Sequence, residues 1–116
     1  MQRFSSHQLG IENGSILLFS DFQVGGAMWT GTGPRELRRI VEFSEAFVAP
    51  PLVQTSLSML DIDQSTNHRV DISAEEVHED GFTIVFRTWG DTRVARVRAD
   101  WVAFGPLRHD DDWDIL

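Results

Sequence analysis

Gly81-Phe82-Thr83-Ile84-Val85-Phe86-Arg87-Thr88-Trp89-Gly90-Asp91-Thr92-Arg93-Val94, followed by a second tryptophan at Trp101, reads as a strand, a tight Gly-Asp turn and another strand. Trp89 stands beside the turn, where small polar residues are usual. A flat apolar face at a loop edge, next to arginines and short polar side chains, suits the stacking of a sugar ring. The competing reading makes Trp89 the cap of a hydrophobic core. Residue type alone does not separate the two.

Working outward, the period-two pattern continues through most of the chain. It predicts a first strand over roughly Ser15 to Phe22, opened by a turn at Asn13-Gly14. Asn13-Gly14-Ser15 also matches a glycosylation acceptor, but without a signal segment the turn reading takes precedence. Gly25-Gly26-Ala27-Met28-Trp29-Thr30-Gly31-Thr32-Gly33-Pro34 is expected to be a long surface loop. A second strand is predicted over Glu36 to Ser44, with Leu37, Val41 and Phe43 on one face, and Phe47 and Pro50-Pro51 make the next corner. The third covers Leu52 to Asp61, with Val53, Leu57 and Met59 inward. The fourth covers Arg69 to Val77, with Val70, Ile72 and Ala74 inward. Ala74 to Val77 carries a helical hint too brief to matter. Glu79-Asp80-Gly81 turns into strand five, Phe82 to Trp89. Strand six, Thr92 to Phe104, sets Val97, Ala99 and Trp101 against Arg96, Arg98 and Asp100. Six half-buried antiparallel strands are most economically covered by folding into two packed layers.

Length and composition agree with one domain. The chain has 116 residues, 41% of them hydrophobic and 24% charged, enough for its own core. A single domain over 1–116 is expected, with its core at about 14–105 and an acidic tail at 106–116. A net charge of -8 argues against nucleic acid and anionic membrane as partners, because each phosphate contact wants a cation. Asp110, Asp111, Asp112 and Asp114 concentrate acid in the tail, which reads as solvated. No window approaches the run of about 18 apolar residues that a membrane helix needs, so no membrane insertion is expected. The first residues lack a basic head and apolar stretch, so the expected location is the cytoplasm, or outside by non-classical release, including within a particle. The absence of cysteine removes disulfides, thiolate metal sites and cysteine nucleophiles.

Several separated landmarks in one order carry a family resemblance: Arg35-Glu36-Leu37, Val41-Glu42-Phe43, Pro50-Pro51-Leu52-Val53, Leu60-Asp61-Ile62-Asp63-Gln64-Ser65-Thr66-Asn67-His68-Arg69-Val70, Gly81-Phe82, Thr88-Trp89-Gly90-Asp91-Thr92-Arg93-Val94 and Trp101-Val102-Ala103. From about Trp29 to Gly105 the chain resembles the H-type lectin domain of snail agglutinins and of the discoidin C-terminus. The resemblance implies an all-β, six-stranded antiparallel β-sandwich that assembles as a parallel homotrimer. It also implies glycan sites at the clefts between protomers, with galactose or N-acetylgalactosamine as the usual ligand. By position, the sugar-facing arginine falls on Arg69, the stacking tryptophan on Trp89, the residue after it on Gly90, and the loop of main-chain and acidic contacts on Thr30, Gly31 and Thr32. The chain departs from the family's pattern where well-studied members carry a histidine (here Gly90), a tyrosine (Ala95) and an aspartate (Thr32). A disulfide-forming cysteine of those members is replaced by Phe86.

Each residue also has a plainer reading. Arg69 offers a fixed fork of donors suited to vicinal hydroxyls, or a surface ion pair with Asp71 or Asp91. Asp91 either caps its own turn or stands in for the missing loop aspartate as a hydroxyl acceptor. Trp29 either pins its loop to the sandwich or replaces the wall lost at Ala95. Arg35 and Glu36 are expected as a structural ion pair across protomers. Arg93, Arg96 and Arg98 are expected to meet Glu42, Glu45 or Asp100 of a neighbouring copy, or to be a solvated face. Asp61, Asp63, Ser65 and Asn67 alternate like the start of a calcium loop, but Thr66 and Ile72 stand where its glycine and glutamate belong, so a polar corner is expected and no metal or cofactor. His7, His68, His78 and His109 have no orienting acid nearby in sequence, Gly31-Thr32-Gly33 lacks a following lysine, and Asp61 with Asp63 would pair as glycosidase carboxylates only on a regular strand. No enzyme is expected. Two readings remain: a carbohydrate-binding lectin using Arg69, Trp89, Gly90, Asp91 and the Thr30 to Thr32 loop, or a trimeric structural or host-adhesion component of a larger assembly with a degenerate sugar site.

Overall fold

The structure is a computed structural model and describes residues 1–4 and 8–108. Residues 109–116 of the expected acidic tail, and His7, lie outside the described residues, while Pro106 and Leu107, expected in that tail, continue the last strand. Six strands and one helical turn follow in order: β1 Gln8–Ser20, α1 Ala27–Thr30, β2 Arg35–Glu42, β3 Leu52–Ile62, β4 Val70–Glu75, β5 Gly81–Thr88 and β6 Val94–Leu107. They form two antiparallel three-stranded sheets, β1-β6-β3 and β2-β5-β4, so the expected all-β sandwich is the fold.

The two most buried strands, β5 and β6, are the centre of one sheet each. Ile84, Val85, Phe86, Val94, Val97, Ala99 and Ala103 have no exposed surface at all. A strand covered by neighbours on both edges and by a second sheet on one face loses most of its water, which is where burying apolar area stabilises most. Phe43, Phe47, Phe82 and Trp101 make an aromatic cluster with ring centroids 5.1 to 6.0 Å apart. It fills the half of the sandwich away from Trp89. Phe86 packs on Phe19 at 5.4 Å.

Four local expectations are corrected. Asn13-Gly14 is not a turn: both residues lie inside β1, with Gly14 opposite Trp101. A Cβ at Gly14 would meet the indole Nε1 at 2.6 Å, so this glycine makes room for a ring rather than a reversal. Met59 does not continue the inward face of β3, because a bulge between Leu57 and Met59 sets Met59 opposite Arg98 and reverses the alternation. The glycine-rich stretch is not wholly irregular; it contains α1, whose Met28 is buried and whose Met28 N–H donates to Asp21 Oδ2 at 3.0 Å. β4 stops at Glu75 rather than Val77, since Glu76 adopts φ 52 and leaves the extended region.

The stretch 89–93 is also not a hairpin turn. β5 pairs with β2 and β4, whereas β6 pairs with β1 and β3. The segment is therefore an arch carrying the chain from one sheet to the other. Such an arch lies across the open end of the sandwich, which explains how a tryptophan beside it stays 42% exposed.

Candidate functional site

The arch gathers the predicted residues at one end of the molecule. Val70 is paired with Thr88, and Arg69 and Trp89 are the next residues outward on the two strands. Both therefore continue the outer face of the β2-β5-β4 sheet past its end. At Gly90, φ is +70, a conformation that glycine adopts at no steric cost. A Cβ there would contact the Arg69 side chain at 3.5 Å. Arg69 Nη1 lies 3.6 Å from Asp91 Oδ1, so of its two expected acidic partners it takes Asp91.

Two threonines hold Arg69 where no strand pairing reaches it. The Thr92 hydroxyl donates to Asn67 O at 2.6 Å and accepts from Arg69 N at 3.0 Å. The Thr88 hydroxyl donates to Arg69 O at 2.6 Å. Thr92 is fully buried and Thr88 nearly so, and buried hydroxyls with both partners in place are strong positional constraints. Asp91 accepts from Asn67 Nδ2 at 3.1 Å and Asn67 N at 3.4 Å. The Asn67 amide, with a smaller contribution from Arg69, holds its carboxyl below the usual carboxylate range. Asp91 thus caps the 67–69 segment, and it is exposed enough to keep acceptor sites open.

The second wall is the loop after α1. Thr30 donates its hydroxyl to Gly26 O at 3.0 Å, and Gly31 N–H donates to Ala27 O at 2.8 Å. Gly33 N–H then donates to Gly90 O at 2.8 Å, which brings Thr30, Gly31 and exposed Thr32 to the same end as the arch. Arg35 locks this junction. Its guanidinium donates to Gly33 O at 2.9 Å, Met28 O at 3.1 Å and Gly90 O at 3.3 Å. Glu36 instead meets Arg87 at 2.9 Å, so Arg35 and Glu36 do not act as one pair within the chain. Sequence reasoning missed this role for Arg35; it named Thr88 and Thr92 only within a family landmark and Asn67 only within a polar corner, and missed their part in the site. Only the position of Arg35 just after Gly33-Pro34 offered a signal.

Trp29 is a strut. Arg93 lies over its ring at 4.2 Å and donates to Trp29 O at 3.0 Å, while Phe22 meets it edge-on at 5.0 Å. Arg93 also reaches Asp63 at 3.4 Å, Arg96 reaches Asp61 at 3.1 Å, and Arg98 binds Ser58 Oγ at 3.0 Å. These three arginines, expected to seek a neighbour's acids, find partners in their own chain. Asp63 is further held below its usual range by the Ser65 hydroxyl and N–H. With Asp61 and Asp63 drawn to different arginines, the 61–67 stretch is a polar corner between β3 and β4.

An antiparallel two-layer sandwich with an arginine, a half-exposed indole and a main-chain-rich loop at one mouth has the build of a sugar-binding module. The H-type lectin domain model matches residues 38–104, and the chain belongs to that family. This span includes Arg69, Trp89, Gly90 and Asp91 but not the 30–32 loop. Over 107 residues the chain is 58% identical to the protein named ATP synthase subunits region ORF 7 of Fuscovulum blasticum, covering 92% of this chain and 93% of that one. It is 33% identical over 78 residues to a discoidin-1 chain of Dictyostelium discoideum, covering 66% of this chain and 31% of that one. Discoidin II of the same organism shares the fold, with a TM-score of 0.74 at 24% identity, over 90% of this chain and 40% of that chain. Membership of this family implies carbohydrate binding, and the lectin-type fold points to a binding protein rather than an enzyme.

Proposed function

We propose that the protein is a lectin that binds galactose or N-acetylgalactosamine-type glycans at clefts between protomers of a homotrimer. The convergence of Arg69, Trp89 and the Thr30 to Thr32 loop on the arch carries this reading. The backbone of Arg69 is pinned by two buried hydroxyls, which fixes the base of its side chain and lowers the ordering cost when the guanidinium meets a diol. Trp89 supplies the apolar face for the sugar's C–H side. Asp91 serves as hydroxyl acceptor in place of the aspartate that Thr32 lacks. Single sites of this kind are weak, and three on one face of a trimer give avidity on a glycan-dense surface.

The experiment is a glycan array and titration with the recombinant chain, with mass measured by light scattering. Binding abolished by Trp89→Ala at unchanged trimer mass is the expected result. A silent array on a folded trimer would move the protein to the second reading, an assembly or adhesion part whose sugar cleft has decayed. One observation favours that alternative: Ala95, where relatives carry a tyrosine, is 5% exposed, so position 95 offers no wall to a ligand.

A further inference from the structure

We infer that a groove alongside Trp89 is a subsite for a second, neutral sugar unit, an inference that rests on the lectin reading above. The groove measures about 320 Å³ and is lined by Pro34, Arg35, Glu36, Arg87, Thr88 and Trp89. Its volume is at the small end of ligand pockets, suited to one pyranose. Glu36 and Arg87 face each other across the β2–β5 ladder, on the outer side of the sheet that Trp89 continues. Because β2 is an edge strand, the groove is open along one side, as a continuing glycan chain requires.

The chemistry at its floor is a matched acceptor and donor. Arg87 Nε meets Glu36 Oε1 at 2.9 Å, and Arg87 Nη1 meets Glu75 Oε2 at 2.8 Å and Asp71 Oδ2 at 3.8 Å. Three carboxylates thus hold the guanidinium, and Arg38 Nη1 stands 3.6 Å from the same Glu36 oxygen. These contacts fall on Glu36 Oε1, Arg87 Nε and Arg87 Nη1, and none of them engages Glu36 Oε2 or Arg87 Nη2. A vicinal diol, each hydroxyl both donor and acceptor, complements such a pair. Both signs of charge line the groove, which has Arg35 and Arg87 as well as Glu36 in its wall. An anionic unit meets the carboxylates and a cationic unit meets the guanidiniums, so the neutral, hydroxyl-rich unit fits best. The site lies on one protomer and uses Glu36 and Arg87, which the primary cleft does not.

Titration of the full chain with N-acetylgalactosamine and with neutral disaccharides ending in galactose or N-acetylgalactosamine tests the assignment. At least one disaccharide should bind about tenfold more tightly than the monosaccharide. Glu36→Ala and, independently, Arg87→Gln should each bring that ratio close to one while leaving monosaccharide affinity unchanged. Both positions are about 40% exposed in surface ion pairs and contribute little to folding. Equal binding of mono- and disaccharides by the wild type, or a ratio that survives both substitutions, overturns the subsite and leaves the lectin reading standing. A change in trimer mass in the two variants with an unchanged ratio also overturns it, assigning the groove to protomer packing. No binding of any sugar by the folded wild type overturns both readings.

Discussion

Thr92 shows how much a single hydroxyl decides at this site. It is fully buried and it bridges Asn67 and Arg69. Thr92→Val keeps the shape but leaves the Asn67 carbonyl and the Arg69 N–H unsatisfied. The expected loss is about 1–3 kcal/mol in urea unfolding, together with weaker glycan binding as Arg69 loses its anchor. Full stability with unchanged affinity would remove Thr92 from the site. Asp91→Ala should weaken glycan binding with the fold intact, because its partners Asn67 and Arg69 are exposed at the rim; unchanged affinity in the titration sinks its role as acceptor. Arg69, Trp89 and Asp91 were legible as candidates from residue type and from the family pattern. Thr88 and Thr92 were not, because a threonine in a β-rich sequence looks like any other strand residue until the fold shows what its hydroxyl faces.

Among the elements, the loop before β2 and the arch after β5 act as one unit. Arg35 joins them through the carbonyls of Met28, Gly33 and Gly90. Arg35→Gln should speed amide exchange at Gly33, whose N–H is donated to Gly90 O, and lower glycan affinity, with exchange in β6 unaffected. Unaltered exchange at Gly33 would show that the backbone bond holds the junction alone. In β1, Gly14→Ala places a methyl against the Trp101 ring and is expected to cost about 1–3 kcal/mol, measured by thermal or urea unfolding. That prediction inverts the sequence reading of Asn13-Gly14 as a turn. A local rule that marks Asn-Gly as a reversal loses to the ring on the neighbouring strand, since only tertiary pairing places Trp101 there.

For the whole molecule, acidic side chains tie the surface together. Arg87 holds Glu75 below its usual range, and the Ser15 and Ser58 hydroxyls do the same for Asp100. Asp63 and Asp91 are shifted the same way. A carboxyl with a lowered folded-state pKa contributes stability that is fully present above its unfolded value of roughly 4. That contribution is lost as the pH falls toward the folded value. Thermal stability should therefore be level from neutral pH down to about pH 5 and decline below about pH 4. A melting temperature that rises on acidification through that window would contradict these pairings. Added salt should reduce the exposed part of the effect.

Read alone, the residues determine the class of fold, because alternation with a period of two survives any arrangement of strands that buries one face. Which strands are central was not legible: 94–103 alternates Val97, Ala99 and Trp101 with exposed Arg96, Arg98 and Asp100 like a half-buried strand, and its central place follows from the pairing with β1 and β3. Which strands share a sheet was decided by the tertiary structure, as was the crossing of 89–93 between layers rather than within one. Turn residues report a change of direction but not which edge the chain returns to. The bulges at Leu17/Phe19 and Leu57/Met59 are likewise features of the pairing with β6, set between distant segments and invisible in any one of them.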